Sequence, residues 1–199
     1  MANAQAASAT GSRYWTVPIG RAVLALVSAV IITFSRDHSA TFGLVVFGSF
    51  ALLSGLLIIV LSWRTLSASQ GRMLFAVQGV VGVVAGALAL AFNAGGLGFF
   101  LYLVSVWGAV AGFIELYSGF RVRGRVASAR DWMLVGGFTA VLALVLLLLP
   151  PHVVVSVGLL GAYLVILGVY LIIAGLSLKW AQMPEARIPA PAANDSDTL

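Results

Sequence analysis

The sequence has no cysteine. Disulfides, thiolate nucleophiles and cysteine-ligated metals are therefore excluded. Charge is almost as scarce: only 9% of the 199 residues are Asp, Glu, Lys or Arg, against 61% hydrophobic residues. A water-soluble domain carries roughly 25% charged residues. So little charge cannot cover a surface facing water, and the solvent of this chain is read as lipid. There are two histidines, His38 and His152, and one acidic residue well inside an apolar run, Glu115. Phosphate-cradling glycine loops, zinc-ligand spacings and serine–histidine–acid sets are missing as well. With so few polar groups, the sequence implies no catalytic centre, no cofactor, no bound metal and no nucleic-acid partner.

What the chain has in quantity is long apolar runs, at about 17–35, 41–62, 73–92, 97–119, 132–149 and 153–178. A hydrocarbon core about 30 Å thick takes about 20 helical residues, and each run meets or nearly meets that length. Lipid offers no partner to free backbone amides, so helices or a closed barrel are required. Runs such as Val141 to Leu149 do not alternate as barrel strands must. The fold class expected is therefore all-α: a polytopic bundle of six transmembrane helices. Residues 1–14 and 181–199 are polar, the latter Pro-rich, and read as disordered tails flanking a transmembrane domain over 15–180. Ser39-Ala40 offers a weak cleavage site for a signal peptide, but the first run takes part in an internal repeat and is read as a retained helix.

That repeat divides the domain into three helical hairpins, about 17–62, 73–119 and 132–178. Gly48, Gly55 and Ser62 lie seven apart; adding 57 gives Ser105, Gly112 and Gly119, and adding 113 gives Gly161, Gly168 and Gly175. In the odd-numbered runs Ala22, Ala25 and Ala29 map to Gly79, Gly82 and Gly86, and then to Gly136, Thr139 and Ala143. Seven-residue spacing keeps small residues on one helix face, and in lipid small residues let backbones approach. Each hairpin thus carries a packing face, and a two-helix unit repeats without inversion, as in parallel repeats about an axis along the membrane normal. The same faces would serve a homo-oligomer or another membrane protein.

Ten of the eleven basic residues fall at one end of the runs, and only Arg36 lies at the other. Arg21 is read as preceding the first helix, with Arg64 and Arg72 in the second connection and Arg121, Arg123, Arg125 and Arg130 in the fourth. The positive-inside rule then places both termini in the cytoplasm, and Trp15, Trp63, Trp132 and Trp180 fit an aromatic belt there.

The segment Arg21-Ala-Val-Leu-Ala-Leu, the bend Leu149-Pro150-Pro151, and Gly161-Ala-Tyr163-x4-Gly168 with its echo at Gly48 and Gly55 resemble the HdeD family. These are small bacterial membrane proteins with a repeated domain of unknown function. The resemblance spans about residues 17–180. It implies a bacterial cytoplasmic membrane and a non-enzymatic accessory role in stress or acid resistance, and it supplies no catalytic residue. The first two bends lack the proline often found in the family.

Four groups are candidates for function. Gly108, Gly112, Glu115 and Gly119 share one helix face, so Glu115 points into the bundle. A charge at the bilayer centre costs roughly 2.5–3.5 kcal/mol on insertion scales. Glu115 is therefore either an ion or proton site of a small transporter or channel, or a structural group paired with a basic neighbour such as Arg21. The repeat-equivalent positions, Ile58 and Leu171, carry no carboxylate, which argues against a relay. His38 and His152 occupy equivalent bends at the outer end and are pH-sensing candidates, since imidazole titrates near pH 6.5. Arg121, Arg123 and Arg125 are candidates for anionic lipid head groups. Gln78 and Asn93 are expected in interhelical hydrogen bonds.

Overall fold

The computed structural model describes residues 15–65, 72–124 and 129–180. Both expected tails, Arg125 and most of the basic connections therefore lie outside the described residues. Six helices follow in order: α1 Thr16–Phe34, α2 Ala40–Thr65, α3 Arg72–Ala91, α4 Gly96–Arg121, α5 Ala129–Leu148 and α6 Val153–Trp180. All six are long and apolar enough to cross a membrane, and there is no strand among the described residues. The fold is a polytopic all-α bundle. Large apolar side chains such as Val23, Leu56, Val84, Phe113, Leu144 and Ile173 lie exposed on its outside, the arrangement required of a surface that faces lipid.

The bends explain where the helices stop. After α1, Ser39 accepts the Phe42 amide on its hydroxyl at 3.2 Å and caps α2, while Asp37 accepts the Ser39 amide at 2.8 Å; this is the side-chain cap that satisfies an otherwise orphaned helix-end donor. Between α3 and α4 the chain turns at Gly96, whose φ of +74° suits a residue without Cβ. Between α5 and α6 the Pro150-Pro151 pair ends the helix, because a residue before proline disfavours the helical region.

The glycine faces interlock across the repeats. The broad seams are α2–α3, α4–α5 and α6–α1, so the second helix of each hairpin packs on the first helix of the next and the last closes on α1. The seams inside the hairpins are narrower, and α5–α6 is the narrowest. At α2–α3 a Cβ on Gly55 would stand 2.6 Å from the Gly79 carbonyl oxygen, and one on Gly86 would stand 2.7 Å from that of Gly48. At α4–α5, a Cβ added to Gly112 or to Gly136 would stand 2.8 Å from the other's carbonyl oxygen. The α6–α1 seam departs from this pattern: Gly161 and Gly168 there receive the side chains of Ile32 and Leu26. Lipid tails are as apolar as leucine, so van der Waals contact across such close seams, rather than hydrophobic exclusion, holds the bundle together.

The even-numbered helices form the interior: half of each of their spans is buried, against 39–44% for the odd ones. Their repeat-equivalent residues stack as layers. Phe47, Val104 and Leu160 make one; Phe50, Trp107 and Tyr163 the next; Ser54, Ala111 and Leu167 a third; and Ile58, Glu115 and Leu171 a fourth, all buried. Trp107 closes the middle by edge-on contacts with Phe47 and Phe50, at ring-centroid distances of 5.3 and 6.2 Å. Among the described residues, the interior is therefore a filled core with one buried carboxylate, Glu115, in it.

Candidate functional site: a buried ion pair on the bundle axis

Glu115 occupies, in the fourth layer, the position that the other two repeats fill with Ile58 and Leu171. It is 1% exposed. Two neighbours converge on its Oε1: Arg21 Nη1 donates at 2.8 Å and Gln78 Nε2 at 2.6 Å. Arg21 and Gln78 are themselves repeat-equivalent, 57 residues apart, and the third member of their set is the apolar Val135. One layer of the threefold pattern has thus been made polar on α1, α3 and α4 and left apolar on α2, α5 and α6. Gln78 is in the interhelical hydrogen bond expected of it.

Arg21 corrects one expectation. It does not precede the first helix; it lies a turn inside α1 and is 8% exposed. A basic residue so near the end of an apolar run reads as a boundary, whereas its partner sits on another helix 94 residues away. Pairing Arg21 with Glu115 takes the cost of burying either charge alone, several kcal/mol per ion, and offsets much of it. Asn93 is a second correction: its amide donates to the Leu90 carbonyl of its own helix at 2.9 Å, closing the end of α3 instead of bridging helices.

Glu115 lines a cavity of about 30 Å³ at the basic end of the axis, with Arg21, Asp131 and Trp132. That is room for a water molecule. Its walls are otherwise apolar, including Ile58, Phe75 and Leu171, and Phe75 meets Trp132 edge-on at 4.6 Å. Glu115 Oε2, on a residue of the cavity wall, has no hydrogen-bond partner; Gln78 Oε1 and Ser118 Oγ are also buried without one, on residues that do not line the cavity. Ser118 follows Glu115 by three residues and shares its helix face.

Two further polar pairs lie on α5 and α6. Tyr170 donates its hydroxyl to Asp131 Oδ1 at 2.7 Å. Thr139 Oγ1 donates to the Val135 carbonyl at 2.8 Å and lies 2.9 Å from the Tyr163 hydroxyl. A threonine hydroxyl has a single proton, so Tyr163 is the donor to Thr139. None of Ser118, Asp131 and Tyr170 was marked by the sequence, although Thr139 and Tyr163 both fall on repeat positions.

The remaining candidates stand apart from this cluster. His38 and His152 lie in the α1–α2 and α5–α6 bends. From Arg21 to the end of α1 is about 20 Å at 1.5 Å per residue, so His38 lies at the opposite end of the bundle from the ion pair. Arg121 and Arg123 are exposed at the basic end, where Arg121, in the last turn of α4, also complements the helix dipole. Gly48, Gly55, Gly79, Gly82, Gly86, Gly112, Gly161 and Gly168 all line the seams described above.

The model of a family described as a short repeat of unknown function (DUF308) matches the chain twice, at residues 20–91 and 77–149. The chain belongs to the DUF308 family. The two matches start 57 residues apart, which is the spacing of the internal repeat, and each covers a hairpin together with the first helix of the next. A DUF308 match of that extent includes one broad glycine seam, α2–α3 in the first case and α4–α5 in the second. Comparison with curated proteins and with solved structures returned no match.

Proposed function

We propose that this DUF308 protein is a non-enzymatic, closed membrane bundle of HdeD type, an accessory or scaffold protein in the bacterial cytoplasmic membrane with both termini cytoplasmic. The observation that carries this reading is the filled axis. Aromatic and aliphatic layers from Phe47 to Leu167 seal the interior between the ion pair and the opposite end. A conduction pathway needs polar groups lining a continuous wet route; the hydroxyls in those layers are that of Ser54 and that of Tyr163, which is hydrogen-bonded to Thr139, and two isolated hydroxyls do not make such a route. Small-residue seams are what a rigid scaffold requires, and the exposed apolar surface leaves room for membrane-protein partners or further copies of the chain. The cytoplasmic placement of the termini draws on the Lys/Arg bias. A role in stress or acid resistance draws on the family resemblance.

A second reading, a small transporter with Glu115 as its ion or proton site, has one observation in its favour: a buried carboxylate on the axis with an unpartnered oxygen. The experiment that separates the two is proton and potassium flux in liposomes holding the purified protein. The scaffold reading expects the rate of empty liposomes. Flux above it that disappears in Glu115→Gln would instead establish the transporter.

A further inference from the structure

The three broad seams share one pattern, and α4–α5 departs from it in two matched ways. The first departure is a hollow. At one pair of repeat positions the α2–α3 seam carries Leu52 and Val83, and the α6–α1 seam carries Val165 and Leu26. Leu52 closes there on Gly86, and Leu26 on Gly168. The equivalents in α4–α5 are Ala109 and Ala140. Two methyl groups cannot fill the space of those larger side chains, and a groove of about 340 Å³ opens toward the lipid. Ser105 and Ala143 continue its lining of small residues. Ser105 stands where the other seams have Gly48 and Gly161. It is 8% exposed, and its hydroxyl has no hydrogen-bond partner among the described residues. The second departure is a knob. Phe113 forms part of the groove's wall, is 67% exposed, and stacks on Tyr117 at a ring-centroid distance of 6.2 Å. The other seams carry the smaller Leu56 and Val169 at that position.

We propose that this face is the interface of a homodimer, in which Phe113 of each copy fills the Ala109–Ala140 hollow of the other. An isologous interface sets the same patch of both copies together. It therefore needs hollow and knob on one surface, and α4–α5 is the seam that has both. A two-fold axis along the membrane normal keeps both copies in the same orientation and at the same depth. Side chains on a helix lean toward its N-terminus and cover the turn before their own Cα. The Phe113 ring accordingly stands at the depth of Ala109, four residues back, and level with the hollow of the partner. The small residues of the groove let the helices of the two copies approach closely. A lipid acyl chain could also lie in the groove, but it gives the exposed Phe113 no role and offers the Ser105 hydroxyl nothing. The negative face of an aromatic ring, in contrast, accepts a weak hydrogen bond. The inference rests on the scaffold reading, for which it names a second copy of the chain as the partner.

The test is photobleaching of single molecules of the full chain, one fluorophore per chain, in liposomes over a range of protein-to-lipid ratios. The expected result is two bleaching steps that give way to one on dilution. Phe113→Ala removes the central anchor and should weaken dimerisation by about thirtyfold or more. Ala109→Leu combined with Ala140→Val fills the hollow and should weaken it as well. That pair installs the residues of the α2–α3 seam, so it is expected to fold, and circular dichroism checks this. Leu56→Ala, at the equivalent exposed position of α2, should leave dimerisation unchanged. Single steps at every ratio would overturn the proposal and leave the groove to acyl chains. Dimerisation unchanged in both groove variants would place the interface on another face and overturn it too. Neither result touches the scaffold reading, which ion flux in the same liposomes tests separately.

Discussion

The glycine seams predict that one substitution, Gly→Ala, has opposite effects at two places in the same bundle. A methyl on Gly55 would lie 2.6 Å from the Gly79 carbonyl oxygen and 2.8 Å from the Val83 amide nitrogen. Ordinary contact begins near 3.4 Å, so the overlap is about 0.8 Å. Both obstacles are backbone, so no rotamer change relieves it and α2 must move off α3. Overpacking of this kind costs about 1–3 kcal/mol, while the higher helix propensity of alanine returns up to about 1 kcal/mol. At Gly137 of α5 a Cβ meets nothing within 4 Å, so Gly137→Ala keeps the propensity gain without the clash. Gly55→Ala should therefore be about 1–3 kcal/mol less stable than Gly137→Ala, which is roughly a five- to 150-fold shift in the unfolding equilibrium. Reversible unfolding of both variants in mixed micelles measures this difference. If Gly55→Ala proves as stable as Gly137→Ala, the seam is not as tight as described and the backbone-contact argument is refuted.

Three further outcomes follow from the ion pair, the core and the charge bias. Glu115→Ala strands Arg21 in the core and should lower unfolding stability by about 3–5 kcal/mol, whereas Arg21→Met combined with Glu115→Leu should recover most of it, since Leu171 shows that leucine fits the equivalent position; thermal unfolding of both decides. Trp107→Ala removes the central aromatic contact and should cost about 3–5 kcal/mol, measurable by the same unfolding assay. Because the chain lacks cysteine, Arg123→Cys and His152→Cys each introduce a single thiol. An impermeant thiol reagent should label the first only from the cytoplasmic side and the second only from the outside, and the reverse pattern would invert the assigned orientation.

The six spans and the repeat are legible in the sequence because lipid imposes length and apolarity on every span and because glycine positions recur at fixed offsets. The partners of those glycines are not legible. Heptad spacing at Gly48 and Gly55 defines a face but does not say whether it meets α1 of its own hairpin or α3 of the next, and backbone contact settles it for α3. Glu115 stood out as a lone acid in an apolar run, and its pairing with Arg21 was one of the readings its surroundings allowed. The contribution of Gln78 was harder to see, although its offset of 57 from Arg21 carried the information. Ser118 and Asp131 gave no signal, since one more serine or a single acid at a helix start is ordinary in composition; Ser118 shares the Glu115 face by spacing alone, and only the packing of α5 against α4 brings Asp131 to the cavity that Glu115 lines.

The central claim, a bundle whose axis is filled and dry above the ion pair, is tested most directly at Ser54. This residue is buried in the layer next to Ile58, Glu115 and Leu171, and Ser54→Cys is nearly isosteric and introduces the only thiol in the chain. The rate at which a small charged methanethiosulfonate reagent modifies that thiol, applied from each side of sealed liposomes, reports whether water reaches the axis. The account predicts no modification from either side until the protein is unfolded. Modification of the folded protein from both sides would show a wet pathway through the bundle and contradict it.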